Sequence, residues 1–299
     1  MSEGIDFGFS LQSAMMYNGR TGYDVDQFLG VYPDLGGDRG GESFARSVYS
    51  FQVMYGFSEG SCDGKLGSYT YGKLLEYVLE VGSEYVLRNG MRIELPKREE
   101  YALVTYEEAG GMDLHRYGNF SRYSNKSLEG VCMHWGGLDA SHCYRVFASN
   151  ARKVSSHFLI GLVDGKCVVY QVLDLAHKAW HAGKYNGGSV GIDICQQPSL
   201  KWKDHYESEG YELSVIDNDS GRGERRVLSL DGRLETGVRL FIYDLMESLD
   251  MEVRKPDDGG GYYAEDIKGG EYTLYCHSMV SKRKWDIAPW WDSLFADDF

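Results

Sequence analysis

The sequence lacks any apolar run of the ~20 residues that a helix needs to span a bilayer. Its first twenty residues, MSEGIDFGFSLQSAMMYNGR, also lack the basic segment and apolar core of a secretory signal. We therefore expect no membrane insertion and a chain that starts in the cytoplasm. No low-complexity tract is present, and 42% hydrophobic with 25% charged residues is typical of a soluble globular protein.

Positive charge is scarce, because 31 Lys and Arg stand against 45 Asp and Glu, for a formal net charge of −14. Nucleic acids and anionic membranes attract proteins through basic surfaces, so neither is expected as the main partner. A polymer would have to be bound through hydrogen bonds, aromatic stacking or a metal. The 23 Tyr and 6 Trp would suit sugar recognition, although aromatic side chains more often serve the core.

Closely spaced cysteine pairs are also absent. The six cysteines contain no CxxC pattern, which argues against a disulfide framework and a four-cysteine zinc site. We interpret them as buried free thiols. They are Cys62, Cys132, Cys143, Cys167, Cys195 and Cys276.

The first third of the chain has helical periodicity. Apolar residues recur at helical spacing in 24–31, in 44–55 and in 70–78. Ser43 is a candidate cap for the second helix, Gly56 its stop and Thr70 the start of the third. These segments predict a small all-α domain of three helices.

The rest of the chain mixes strands and helices. Apolar segments bounded by Gly, Asp or Asn predict strands at GVCMHW, SSHFLIGLV, KCVVYQVL, SVGIDIC and YTLYCH. Helices are predicted near 143–150 and over 236–251. The fold class is therefore an α/β domain, with a central mixed sheet flanked by helices, joined to the helical domain. We predict domains at 1–95 and 119–299, with a charged, glycine-containing linker at 96–118.

The segment SVYSFQVMYGFSEGSCDGKLGSYTYGKLLEYV resembles a three-helix peptidoglycan-binding domain. The resemblance implies a wall-binding role for this module, and a helical appendage without a ligand is the alternative. Its matching positions include Phe51, Gln52, Asp63, Gly64 and Thr70.

Candidate site residues cluster near the C-terminus, in YCHSMVSKRKWD. This span holds His277, Lys284 and Asp286, and His134 stands at the end of a predicted strand before a glycine pair. Taken singly, His134 is read as a hydrogen-bonded strand-end histidine and Lys284 as a solvated lysine. Two imidazoles and one carboxylate together would make a three-ligand zinc set that leaves the fourth position for water.

The second domain resembles the type-2 family of zinc N-acetylmuramoyl-L-alanine amidases over about residues 119–292. The resemblance is carried in order by CMHWGG, SSHFLIG with VVYQV, AWHAG with a following Asn, SVGIDI and HSMVSKRKWD. It implies that His134, His277 and Asp286 bind Zn2+ and that Lys284 is catalytic.

Other site residues follow from the same resemblance. Asp193 falls where many members carry a general-base Glu, and a structural carboxylate is the alternative. A Tyr found in the phage branch is replaced here by Ser156. Substrate-pocket roles are implied for residues of the matching blocks, namely His157, Trp180, His181 and Asn186.

The implied activity is cleavage of the amide between N-acetylmuramic acid and L-alanine in peptidoglycan by a zinc-activated water. The layout resembles a modular phage endolysin, a monomer that stays in the host cytoplasm until it reaches the wall. A non-catalytic wall-binding protein and a zinc peptidase that cuts the stem peptide remain alternatives. Residues 199–232 look like an insertion that forms either a hairpin over the groove or a solvated segment.

Overall fold

The computed structural model describes residues 10–21, 40–107, 112–121, 127–149 and 151–295. The chain divides into two compact units. The first contains residues 1–82 and 107–111, and the second contains 83–106 and 112–299.

The described part of the first unit contains helices α1 (Leu11–Asn18), α2 (Glu42–Met54) and α3 (Ser68–Val81). Helix α2 begins one residue before the predicted cap Ser43, because Gly41 is its N-cap, and Gly56 follows its end with φ +75°. Thr70 lies inside the first turn of α3 rather than before it. The predicted helix at 24–31 falls outside the described residues, and α1 was not predicted.

Gln52 of α2 organises the loop that leads to α3. Its Oε1 accepts hydrogen bonds from the backbone N–H groups of Asp63 (3.0 Å) and Gly64 (2.8 Å). Its Nε2 donates to Thr70 Oγ1 at 3.1 Å. Phe51, Gln52 and Thr70 are buried, so these residues of the predicted wall-binding pattern stabilise the loop and the helices beside it.

The second unit begins with a hairpin of β1 (Tyr85–Arg88) and β2 (Met91–Glu94). Asn89 and Gly90 form its turn with φ of 55° and 69°, as a two-residue hairpin turn requires. Asp174 accepts from both of their N–H groups, at 2.7 and 2.9 Å. Residues 85–94 therefore differ from the predicted helical domain of 1–95.

The predicted linker at 96–118 contains a strand of the main sheet, β3 (Tyr101–Thr105). All five of its residues are buried, and it pairs in parallel with residues 167–171. Its charged flanks suggested a linker, but the apolar stretch YALVT fills the edge of the core. This part of the prediction is corrected.

The remaining strands of the main sheet agree with the five predicted segments. The six strands lie in the order β10, β4, β7, β5, β6, β3, and all neighbouring pairs are parallel except β5 and β6. The predicted central mixed sheet is thus confirmed. The strands other than β3 are β4 (Gly130–Trp135), β5 (Phe158–Val163), β6 (Lys166–Gln171), β7 (Ser189–Ile194) and β10 (Leu274–Cys276).

Helices cover both faces of this sheet. Phe241 of the long helix α6 packs on Phe158 of β5 with ring centroids 5.0 Å apart. The opposite face of β5 carries Gly161, which lies beside Ala140 of α4. The helices of this unit are α4 (Ala140–Ala148), α5 (Lys203–Ser208), α6 (Gly232–Ser248), α7 (Ala264–Lys268), α8 (His277–Val280) and α9 (Trp291–Phe295).

The predicted insertion at 199–232 contains α5 and a second hairpin, β8 (Val215–Asp217) with β9 (Arg226–Leu228).

Within the part of the chain that the structure describes, no helix is long and apolar enough to cross a membrane.

Candidate metal and catalytic site

Two neighbouring parallel strands, β10 and β4, bring the two predicted histidine ligands together, and the next strand, β7, adds Asp193. His134 lies near the carboxyl end of β4 and is paired in register with Asp193 of β7. His277 directly follows β10, which pairs with β4 on its other side. Because the carboxyl ends of parallel strands meet at one edge of a sheet, residues far apart in sequence converge there.

His134, His277 and Asp286 each offer a ligand atom, and these atoms lie within 4.8 Å of one another. His134 Nδ1 is 3.4 Å from Asp286 Oδ1, and His277 Nδ1 is 3.9 Å from Asp286 Oδ2. Two ligands of a tetrahedral zinc ion lie about 3.3 Å apart when each bond is about 2 Å. The cluster therefore has the donor types and nearly the spacing that zinc requires.

Asp286 supplies an independent sign of a cation. Its Oδ2 is buried and has no hydrogen-bond partner among the residues that the structure describes, which is costly for a carboxylate oxygen. Its backbone has φ +29°, a region that non-glycine residues rarely adopt, as is common where a site constrains the chain. These residues fit a bound divalent metal.

The electrostatics of the cluster favour added positive charge. Burial alone would raise the pKa of Asp286, but a hydrogen bond from His134 and the nearby imidazoles hold it below its usual value. Burial also opposes the charged form of His134, yet the Cys132 sulfur and Asp286 raise its pKa well above the usual range. Burial and the neighbouring His134 lower the pKa of His277 to about 4. His277 is therefore neutral at pH 7, as a metal ligand must be.

Asp193 lies in the same site but is not part of the ligand cluster. Its side chain is buried, and Ser156 Oγ donates a hydrogen bond to its Oδ2. Burial raises the pKa of Asp193, although His134 and this hydrogen bond act in the opposite direction. A buried carboxylate with a raised pKa suits a proton acceptor.

Lys284 is exposed, and its charge acts on Asp193, His277 and Asp286. The β8–β9 hairpin holds the loop that carries it. Arg222 Nη1 donates to the backbone oxygens of Ser278 (2.7 Å) and Lys284 (3.4 Å). The insertion therefore contacts the backbone beside the site, a role that its sequence did not reveal.

His181 lies behind His134. Its Nδ1 is 3.0 Å from His134 Nε2, and its Nε2 is 3.3 Å from Ser189 Oγ. Burial and the nearby His134 lower its pKa well below the usual value, so the ring is neutral. His181 is itself buried and contacts a predicted ligand rather than a substrate groove.

The structure places His157 and Asn186, for which substrate contacts were predicted, in hydrogen bonds with the backbone. His157 is fully buried, its Nε2 donates to the backbone oxygen of His177, and its Nδ1 accepts from the N–H of Gly191, both at 2.9 Å. Asn186 Oδ1 accepts from the N–H groups of His181 and Ala182. Both side chains stabilise the framework of the site.

Trp180 is half-buried, and Lys153 Nζ lies 5.7 Å from the centre of its ring. Two other half-buried tryptophans, Trp135 and Trp285, have ring centroids 5.9 Å apart. Trp135 directly follows His134 in the sequence, and Trp285 directly precedes Asp286. Sequence reasoning missed this pair. Adjacency to two predicted ligands was the available signal.

Residues 124–215 match the family model described as N-acetylmuramoyl-L-alanine amidase. This match assigns residues 124–215 to a type-2 amidase domain. The match includes His134 and Asp193 and ends before the span that holds His277, Lys284 and Asp286. The predicted function, a peptidoglycan amidase, is confirmed at the level of this family.

Solved structures similar to this chain include the catalytic domain of XlyA and a mutant endolysin from Bacillus subtilis. The first is 17% identical, with 65% of this chain and 97% of that chain covered and a TM-score of 0.39. The second is 18% identical, with 66% and 97% covered and a TM-score of 0.39. The structure of PlyL is 15% identical, with 64% and 86% covered and a TM-score of 0.34. A comparison with curated proteins gives no significant match.

Proposed function

We propose that the protein is a zinc-dependent, endolysin-like hydrolase that cleaves the amide between N-acetylmuramic acid and L-alanine. The observation that carries this proposal is the cluster of His134, His277 and Asp286, in which the buried Asp286 Oδ2 has no hydrogen-bond partner within the described part of the chain. These three side chains would hold the metal. A bound zinc ion would supply a Lewis acid and would lower the pKa of a water molecule at the site from about 16 toward 7.

The chain's own residues have separate tasks in this reaction. Asp193, next to His134 across the β4–β7 pair, would accept a proton from the attacking water and pass it to the leaving nitrogen. Lys284 would place its positive charge where the carbonyl oxygen becomes negative, an effect worth ~3 kcal/mol per donor. The Ser156 hydrogen bond orients the Asp193 carboxylate.

The first unit is proposed to bind the wall. Its support is the loop pattern that Gln52 holds, together with the helices on either side of that loop. We propose that the full chain acts as a monomer on peptidoglycan.

The deciding experiment is digestion of purified peptidoglycan by the full chain, with products identified by mass spectrometry and His277→Ala as the inactive variant. Free stem peptides that begin at L-alanine, absent with the variant, are expected. Fragments cut within the stem would instead favour a zinc peptidase. Protein that pellets with the wall but releases no product would favour a non-catalytic binding protein.

Lys284→Ala separates catalysis from metal binding. We expect turnover to fall by roughly two orders of magnitude. The zinc content should stay at the wild-type level, because Lys284 is not among the candidate ligands. Zinc content is measured after dialysis by elemental analysis. Loss of zinc from a folded Lys284→Ala protein would contradict the assigned role.

A further inference from the structure

A chain of hydrogen bonds runs inward from the candidate metal cluster. It starts at His134, passes through the His181 ring and the Ser189 hydroxyl, and ends at a backbone oxygen. The distances are 3.0 Å from His134 Nε2 to His181 Nδ1, 3.3 Å from His181 Nε2 to Ser189 Oγ, and 2.7 Å from Ser189 Oγ to Tyr185 O. His134, His181 and Ser189 are all buried, so these groups have little access to water as an alternative partner.

The end of this chain fixes its direction. A backbone carbonyl only accepts, so the single proton of the Ser189 hydroxyl must be donated to Tyr185 O. Ser189 Oγ must then accept from His181 Nε2–H. A neutral imidazole carries one N–H, so His181 Nδ1 is left bare and accepts from His134 Nε2–H.

The consequence reaches the metal cluster. A histidine that binds a metal is neutral, so its one proton is then held on Nε2, and its bare Nδ1 is the atom that faces Asp286 Oδ1 at 3.4 Å. Without a metal, a proton on Nδ1 joins these two atoms in a hydrogen bond; once that proton is lost, two acceptors face each other and a cation must lie between or beside them. The other ring nitrogen of a ligand histidine commonly sets its tautomer in this way.

We propose that His181 and Ser189 are positioning residues that hold His134 in the tautomer whose Nδ1 is free for the metal. This inference rests on the proposed zinc function. Neither residue touches the substrate or the reacting atoms in this role. Gly191 on β7 is part of the same arrangement, because a Cβ there would lie 2.8 Å from the His181 ring.

Nitrogen-15 NMR of histidine-labelled, zinc-loaded full chain reads the tautomers directly. We expect the proton of His181 on Nε2 and its Nδ1 unprotonated. A proton on His181 Nδ1, or on both nitrogens, would overturn the inference whatever the activity of the enzyme.

Zinc affinity, measured by competition with a chelator, supplies a second readout. Ser189→Ala removes the acceptor for His181 Nε2–H, and we expect the zinc dissociation constant to rise about tenfold or more. Ser189→Thr keeps the hydroxyl and should restore the affinity. Ser47→Ala, a buried serine in helix α2 of the other unit, is the control for general destabilisation.

His181 variants give the same test from the middle of the chain. His181→Asn keeps an acceptor near the position of Nδ1 and should retain zinc better than His181→Leu. Wild-type affinity in Ser189→Ala, with the His181 tautomer unchanged, would overturn the inference alone. A wild-type chain that binds no zinc would overturn it together with the proposed function, whereas zinc binding with the expected tautomer but no hydrolysis would overturn only the function.

Discussion

Asp193 is a short carboxylate in a buried position, where many related amidases are expected to carry a longer Glu. Its partner on the neighbouring strand is His134, and Ser156 donates to it from the start of the next strand. The sequence pointed to Asp193 and to Ser156 separately. Only the structure showed that the serine contacts the carboxylate, because the two lie 37 residues apart.

Asp193→Asn removes the proposed proton acceptor. We expect turnover to fall by roughly 10²- to 10⁴-fold with zinc content unchanged, since general-base catalysis contributes about that much. The measurement is product release from purified walls, alongside metal analysis. An active Asp193→Asn enzyme would show that Asp193 has a structural role only.

Ser156→Ala tests the same pair through pH. The hydrogen bond stabilises the charged carboxylate and so lowers the pKa of Asp193; its removal raises that pKa. A base must be deprotonated to act, so the acidic limb of kcat/KM should move to higher pH, by roughly 0.5–1 unit for a hydrogen bond of about 1 kcal/mol. Ser155→Ala is the matched control, because Ser155 Oγ accepts from the N–H of Trp180 instead. An unmoved limb would contradict the contact.

The lowered pKa of His157 predicts that the free energy of unfolding depends on pH. Burial lowers its pKa from 6.5 to about 4 in the folded state. Below pH 6.5 the imidazole of His157 is protonated in the unfolded chain but stays neutral in the folded chain. The free energy of unfolding therefore falls as the pH drops from 6.5 toward 4. Below pH 4 both states are protonated, and this contribution no longer changes. The total is about 3 kcal/mol at 1.36 kcal/mol per pKa unit.

Denaturant unfolding at several pH values measures this effect. His157→Gln should flatten the slope between pH 6.5 and 4, whereas His205→Gln, at an exposed histidine, should not. Equal slopes in the wild type and His157→Gln would contradict the assignment.

At the scale of elements, the β8–β9 hairpin supports the loop that carries Lys284 and Asp286. Gly223, in the hairpin turn, packs on the Trp285 ring so closely that a Cβ would lie 2.4 Å from it. Arg222 donates to the Lys284 backbone oxygen in the same contact. The insertion is therefore a brace for the site, an alternative to the two roles considered from sequence.

Gly223→Ala should push Trp285 out of place and weaken both zinc binding and turnover. Gly221→Ala is a matched control, because its φ of +68° resembles the +76° of Gly223, but a Cβ added at Gly221 would meet no described residue within 4 Å beyond its chain neighbours. Left-handed backbone costs about 1–2 kcal/mol in either variant, so a difference between them isolates the contact. Metal affinity and kcat are measured for both; equal effects would refute the brace.

At the scale of the whole molecule, the two units can be observed separately. All 6 tryptophans belong to the second unit, at positions 135, 180, 202, 285, 290 and 291. Tryptophan fluorescence thus reports unfolding of the second unit. Circular dichroism also reports the helices of the first unit.

Zinc removal by a chelator should lower the fluorescence-detected Tm. Zinc at 100 times its Kd stabilises a fold by about 2.7 kcal/mol, which corresponds to roughly 5–10 °C in a unit of this size. In His277→Ala the chelator should have no effect, whereas Gln52→Ala should leave the zinc-dependent shift intact. A shift that persists in His277→Ala would place the metal elsewhere.

The sequence by itself determined the class of the fold, most strands of the main sheet and the residue types of the candidate site. Those features follow from local periodicity and from ordered motifs. It also contained a missed local signal, since Asn89-Gly90 between apolar stretches is typical of a hairpin. The edge strand β3 was hidden by its charged flanks.

The tertiary structure decided which side chains meet. His157 and Asn186 belong to the same ordered set of motifs as His134 and His181, yet their hydrogen bonds go to backbone groups, whereas His134 and His181 contact each other. Partners such as Ser189, Ser156 and the insertion depend on strand order and register, which place distant segments side by side. Periodicity assigns a residue to a face, but only packing determines what lies opposite that face.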